Sequence, residues 1–243
     1  MSFKPKIVEK ESKRGWKNKK DFRGSKPGST DENNEQNSLP VIVFQGRTYI
    51  QSGFEGCAMI CDEIIRRIEK SDETFVPIGF DLEWPVIYFQ ESNNLTNKTA
   101  LAQLCLSPKT CHLFHLYYIS KLPAAFSLLL SHPKVKLVGV NVVQDIRKLG
   151  RDFPELPTQQ IVEKNCIECG KLMNEISDSK ERWSLSRLTA HMLKKRLEKP
   201  SSIRKGSWHK FPLSQAQTTY AATDAYKVSL LVYLHLKSKA TSS

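Results

Sequence analysis

No run in this 243-residue chain approaches the roughly 18–20 consecutive apolar residues that a membrane-crossing helix needs. A helical membrane protein is therefore excluded. The N-terminal stretch Met1–Lys6 lacks the apolar core of a secretory signal. The six cysteines (57, 61, 105, 111, 166 and 169) are accordingly expected as reduced thiols in a cytosolic or nuclear setting, not as a disulfide framework. No G-x-x-x-x-G-K-[ST] motif occurs, so an ATP-driven motor is not expected on this chain. There is no internal repeat. The lone C-x-x-C, Cys166-Ile167-Glu168-Cys169, has neither the second pair a zinc site needs nor a thioredoxin-like context, and reads as structural. Acids are scarce relative to bases, 25 against 37, and the net charge of +12 suits a polyanionic partner, nucleic acid before an anionic membrane surface.

What is present is organised around Ile78-Gly79-Phe80-Asp81-Leu82-Glu83-Trp84. Val76, Ile78, Phe80, Leu82 and Trp84 give it the look of a buried strand, yet it carries two carboxylates. Side chains alternate along a strand, so Asp81 and Glu83 point the same way. Two like charges on one face of a core strand repel and lose hydration. A hard divalent cation with oxygen ligands offsets both effects. The alternative at this point is that both acids simply end the strand in solvent.

Residues 1–39 are polar and rich in Gly, Ser, Asn and Lys, and read as a disordered basic tail. Its cluster at Lys13–Lys20 fits a nuclear-import signal or a phosphate-binding arm. Val41–Phe44 and Arg47–Ile50, joined by Gln45-Gly46, predict a hairpin. Helical spacing runs from Phe54 to Lys70. Strands near 76–83, 100–106 and 110–116 follow one another and should pair antiparallel. His112 and His115, three apart, face opposite ways and read as packing or surface residues. A helix at 122–130, a strand at 135–140 and a helix from Asn141 come next. Asn141 is the expected cap, with Gln144 in the capping-box position. Asp145 then lies one turn into a helix at the C-terminal end of a core strand, where ligand crevices of open α/β sheets form. A short strand is expected near 160–167. Residues 182–210 hold nine Lys or Arg against the single acid Glu198, interleaved with Trp183 and Trp208, a mixture suited to phosphate contact and base stacking. A last helix is expected over 214–237, with Tyr220 and Asp224 on one face, and the end, 238–243, should fray.

The order of a carboxylate pair, a further Asp and then Tyr-x-x-x-Asp resembles the Tyr branch (DEDDy) of the DnaQ-like 3′→5′ exonucleases. Five local segments narrow the resemblance to the Werner syndrome protein-like exonucleases: Gly79–Pro85, Ala100–Cys105, Trp183–Leu185, Ser202–Leu213 and Tyr220–Tyr226. It covers residues 40–237. The segment 158–180 departs from the family pattern, and the loop 90–98 looks expanded. The resemblance implies an RNase H-like α/β fold, a mixed five-stranded sheet flanked by helices. It implies two divalent ions, Mg²⁺ or Mn²⁺, held by Asp81, Glu83, Asp145 and Asp224, with Tyr220 orienting the attacking water. Thr219 stands where the sister branch carries its catalytic His. The expected substrate is DNA with an accessible 3′ end, in genome maintenance, with Trp84, Arg147, Arg204, Lys205 and Trp208 contacting the strand. The chain stops where a Werner-type protein continues into a helicase, so the expectation is a stand-alone exonuclease working with a helicase in trans. An RNase D-like exoribonuclease and a non-catalytic nucleic-acid scaffold are the alternatives.

Overall fold

The computed structural model describes residues 38–86, 97–226, 233–235 and 238. The basic tail up to residue 37, the loop at 87–96 and most of the chain after 226 lie outside the described residues. So do the continuation of the last helix towards 237 and the end at 239–243. In chain order the elements are β1 (Arg47–Gln51), α1 (Phe54–Glu69), β2 (Val76–Glu83), β3 (Leu101–Ser107), β4 (Thr110–His115), α2 (Ala124–Ser131), β5 (Val135–Gly139), α3 (Val142–Asp152), α4 (Thr158–Lys164), β6 (Cys166–Glu168), α5 (Cys169–Ser177), α6 (Leu185–Leu193), α7 (Ser201–Arg204) and α8 (Gln215–Thr223). No helix among the described residues is long and apolar enough to cross a membrane.

One mixed sheet holds six strands in the order β1-β4-β3-β2-β5-β6. As expected, β2, β3 and β4 are antiparallel neighbours. The β5 strand lies parallel to β2, and β6 parallel to β5. The sixth strand is β1, which joins the edge parallel to β4 instead of closing a hairpin. The hairpin fails because Phe44 is held elsewhere. Its ring meets Tyr226 at 4.6 Å and its N–H donates to Thr223 Oγ1. Val41 forms only a lone bridge, to Arg196. Gly46 then lets the chain cross Lys109, where a Cβ would lie 2.7 Å from backbone and 2.5 Å from the Phe44 ring.

The sheet separates two apolar layers. Phe80 and Leu82 face the layer built by α1, α2 and α3, with Cys57, Ile64, Phe126 and Ile146. Asp81 and Glu83 alternate to the other side. That side is covered by α6, α8 and Trp208, and the small Ala221 and Ala222 let α8 lie close to the sheet. The strand expected at 160–167 is mainly helix α4, followed by the three-residue β6. Cys169 is buried, Cys166 half-buried, and none of the six cysteines takes part in a disulfide.

Two caps differ in kind. Ser214 caps α8 through a full capping box with Gln217. Asn141 stands at the cap position of α3 in a left-handed conformation (φ 65°), but its side chain makes no capping hydrogen bond. Glu168, arriving from β6, accepts the Asn141 and Val143 N–H groups at 2.8 and 3.0 Å in its place.

Candidate active site

Three of the four expected acids converge. Asp81 and Glu83 come from the end of β2, and Asp224 follows the last turn of α8. One oxygen of each lies within 4.8 Å of the others. Glu83 is 8% exposed and Asp224 3%. The chain after Thr223 widens into a π turn over 224–226, a local rearrangement frequent at functional sites. Asp145 stands in the first turn of α3, outside the three-carboxylate group. It is still near enough that the Asp81 charge acts on it.

The electrostatics follow from burial of like charges. Loss of hydration, then the Asp224 charge, pushes Asp81 up to about 7, while Lys199 and the Leu82 N–H pull it back. Burial, then Asp81 and Asp224, holds Glu83 well above the usual carboxylate range. Burial, then Asp81 and Glu168, pushes Asp145 up to about 9. Asp224 is raised by burial and lowered by Lys199 and the Tyr220 hydroxyl. Burial, then Asp224, Glu83 and Asp81, raises the Tyr220 phenol, which therefore stays protonated at neutral pH.

Cations would offset such clustered charge. The Oδ1 atom of Asp224 is buried without a hydrogen-bond partner, and such an orphaned acceptor is costly unless something binds it. The donors are all hard carboxylate oxygens, the set that suits Mg²⁺ or Mn²⁺. The residues therefore fit a divalent metal.

A cleft of about 360 Å³ opens over the acids, lined among others by Trp84, Lys199, Arg204, Lys205 and Tyr220. Of the expected strand contacts, Trp84, Arg204 and Lys205 thus face the acids. Arg147 is exposed on α3 and does not line the cleft. Trp208 is a correction: it is fully buried, its Nε1 donates to the Arg204 carbonyl, and its ring packs 6.0 Å from that of Tyr220. It packs behind the helix that carries Tyr220 and has no free face for a base. The rest of the basic run divides by partner. Arg187 pairs with Glu181 and lies on Trp183, and Arg196 pairs with Glu198. Lys194 and Lys195 are exposed away from the cleft.

Two residues were missed. Lys199 sits in the cleft with its ammonium 3.4 Å from Asp224 Oδ2. Glu168 holds the start of the helix that carries Asp145. The only signal for Glu168 was an acid inside an unassigned C-x-x-C, and nothing distinguished Lys199 from its eight basic neighbours.

Comparison with known proteins agrees with this geometry. A family model described as 3′-5′ exonuclease matches residues 58–240. A Drosophila melanogaster 3′-5′ exonuclease is 37% identical over 208 residues, covering 86% of this chain and 57% of the relative. One from Drosophila ananassae is 36% identical over 216 residues, covering 89% and 59%. The chain thus spans somewhat over half the length of these curated relatives. Among solved structures, the catalytic core of RRP6 from Trypanosoma brucei superposes with a TM-score of 0.63 at 16% identity, covering 84% of this chain and 50% of that one. Escherichia coli RNase D gives 0.61 at 17%, covering 81% and 46%. Brucella melitensis NrnC, solved with bound Mg²⁺, gives 0.55 at 14%, covering 81% and 82%. At such identities these structures speak for the RNase H-like exonuclease fold alone.

Proposed function

The chain belongs to the 3′-5′ exonuclease family, and from there we propose that it shortens DNA from the 3′ end, releasing nucleoside 5′-monophosphates in genome maintenance. The observation that carries the reading is the convergence of Asp81, Glu83 and Asp224 with an unpartnered Asp224 Oδ1. Asp81, Glu83 and Asp224 would hold one divalent ion, and Asp81 with Asp145 a second. Divalent ions held there would supply a lowered pKa for a bound water and positive charge against the build-up on the leaving 3′ oxygen.

The chain's own groups do the rest. Tyr220, one helical turn before Asp224, hydrogen-bonds the attacking water and orients it. The water oxygen bonds to phosphorus, the P–O3′ bond breaks, and the shortened strand keeps a 3′ hydroxyl after taking up a proton. Arg204 and Lys205, exposed at the cleft, hold strand phosphates.

DNA is preferred because the five short segments resemble the Werner syndrome protein-like exonucleases. RNA is the second reading, favoured by the fold-level likeness to RNase D, an exoribonuclease. A helicase acting in trans would supply the free 3′ end, and the basic cluster at 13–20 supports a nuclear setting. The deciding experiment incubates the protein with 3′-recessed DNA and a matched RNA, end-labelled, with Mg²⁺, Mn²⁺ or EDTA. Stepwise metal-dependent loss of 3′ nucleotides from DNA is expected. Faster loss from RNA would move the assignment to the second reading, and no loss from either would end it.

A further inference from the structure

Beyond the acidic cleft, one surface combines exposed rings with cations. Tyr118 is 70% exposed and Phe211 47%. Both rings pack on His115, at centroid distances of 6.0 and 5.4 Å. His115 is buried, and its Nε2 lies 3.0 Å from the Trp208 carbonyl, which ties β4 to the segment that carries Phe211. The turn bearing Tyr118 is anchored too: the Lys98 ammonium donates to the carbonyls of Tyr117 and Ile119. Two aromatic side chains are thus held outward on a fixed base. Single exposed rings are common on protein surfaces, but two flanking one buried ring, with exposed Lys121 and Lys210 beside them, are not explained by the core. Neither 115–121 nor 199–213 contains an acid.

The rings stand close to the cleft. Glu83 pairs with Leu101, and Leu101 with His115, so the three form one row across β2, β3 and β4. With strands about 4.8 Å apart, that row spans roughly 10 Å. The segment from Arg204 to Phe211 bridges the same gap, starting among the cleft residues and ending at the exposed ring. A strand whose 3′ end reaches the acids and whose phosphates meet Arg204 and Lys205 extends over these rings.

We propose that Tyr118 and Phe211 form a stacking platform for the single-stranded DNA upstream of the 3′ terminus, with Lys121 and Lys210 meeting its phosphates. Every base offers a π face, so the platform tolerates any sequence, and cations beside aromatic rings are how single-strand sites are built. The proposal rests on the nuclease reading but is tested apart from it.

Binding of a fluorescent single strand of about a dozen nucleotides, within the roughly 4–16 that such sites cover, is measured by anisotropy in EDTA. Tyr118→Ala and Phe211→Ala should each weaken Kd about 5-fold or more, the lower end of the range for losing one stacked base. Tyr118→Phe, which keeps the ring, should bind like wild type. Met59→Ala, an exposed apolar residue on α1, serves as an off-platform control. In Mg²⁺, shortening the strand to three nucleotides should remove most of the difference between the alanine variants and wild type. An unchanged Kd in the double alanine variant, or Tyr118→Phe behaving as Tyr118→Ala, overturns the platform. Failure of the wild-type protein to cut any length, with Kd still sensitive to the rings, overturns the nuclease reading and leaves the platform standing.

Discussion

The Lys199 ammonium stands 3.4 Å from Oδ2 of Asp224, while Oδ1 of the same carboxylate is buried and unpartnered. The two oxygens are thus divided between a tethered cation and an open position. Lys199 also lowers the pKa of Asp81 and Glu83, so one side chain partly neutralises three acids.

Removing that cation should destabilise the metal-free protein. Loss of one partner of a buried pair is strongly destabilising, and Lys199 is 28% exposed, so part of the effect is screened. Lys199→Ala in EDTA is expected to lose about 1–2 kcal/mol, or roughly 2–8 °C in melting temperature. Added Mn²⁺ should then raise the variant's melting temperature by more than it raises wild type's. Equal melting curves in EDTA would mean that the ion pair is only a surface contact.

Asp81 provides the pH test. Its folded pKa is about 7 against an ordinary 3.8, so the fold favours the protonated form. That contribution is complete below about pH 4 and is lost as pH rises through 7; Asp145, at about 9, continues the loss upward. Asp81→Asn cannot ionise. In EDTA its melting temperature should therefore gain on wild type by several degrees between pH 4 and 7, and then level off. The same variant, like Asp224→Ala, should show no measurable turnover with Mg²⁺. A stability gap that ignores pH would remove the like-charge account of the site.

Tyr220→Phe keeps the ring that packs near Trp208 and deletes only the hydroxyl. A drop in rate of about 10²-fold is expected, the scale for losing a positioned acid–base or orienting group. Mn²⁺ and DNA affinity should change little. Full activity would reduce Tyr220 to a packing residue.

How far this site was legible can be read residue by residue. Alternation along one strand put Asp81 and Glu83 on a common face, and a four-residue step on one helix put Tyr220 beside Asp224; both are local periodicities that the backbone imposes. Lys199 and Glu168 meet their partners only through the fold, and no local period connects Glu168 to Asn141. The Asn141 side-chain cap fails for the same reason: Asn tolerates the left-handed backbone, and a distant carboxylate satisfies the helix end instead. Val41–Phe44 alternates like a strand, but Phe44 is claimed by α8. Trp208 lies in a segment without periodicity, so nothing local distinguished a packed ring from a stacking one.

Arg204→Ala and Lys205→Ala should each weaken DNA binding similarly across sequences. Each should make the dependence of log Kd on log salt shallower by about one unit per lost phosphate contact. Lys194 and Lys195 lie outside the cleft, so Lys194→Ala with Lys195→Ala is the control and should keep the full slope. A slope that survives in the first pair and falls in the second would put the strand on another face of the protein.

Glu168 makes the most specific demand on the arrangement. Its carboxylate takes two backbone donors at the start of α3, and Asp145 stands in that first turn. Glu168→Ala leaves both N–H groups without their acceptor, at a cost of about 1–2 kcal/mol, as for other lost helix caps. It also releases the turn that aims Asp145 towards Asp81. Partners that orient a ligand from behind typically matter 10- to 100-fold in affinity or activity, and a rate loss of about that size is expected. Glu168→Gln retains one acceptor oxygen of the two and should fall between wild type and Glu168→Ala in both stability and rate. If stability falls while Mn²⁺ affinity and rate hold, Glu168 caps a helix and nothing more. If all three move together and glutamine recovers part of each, the contact from β6 sets where Asp145 meets the metal.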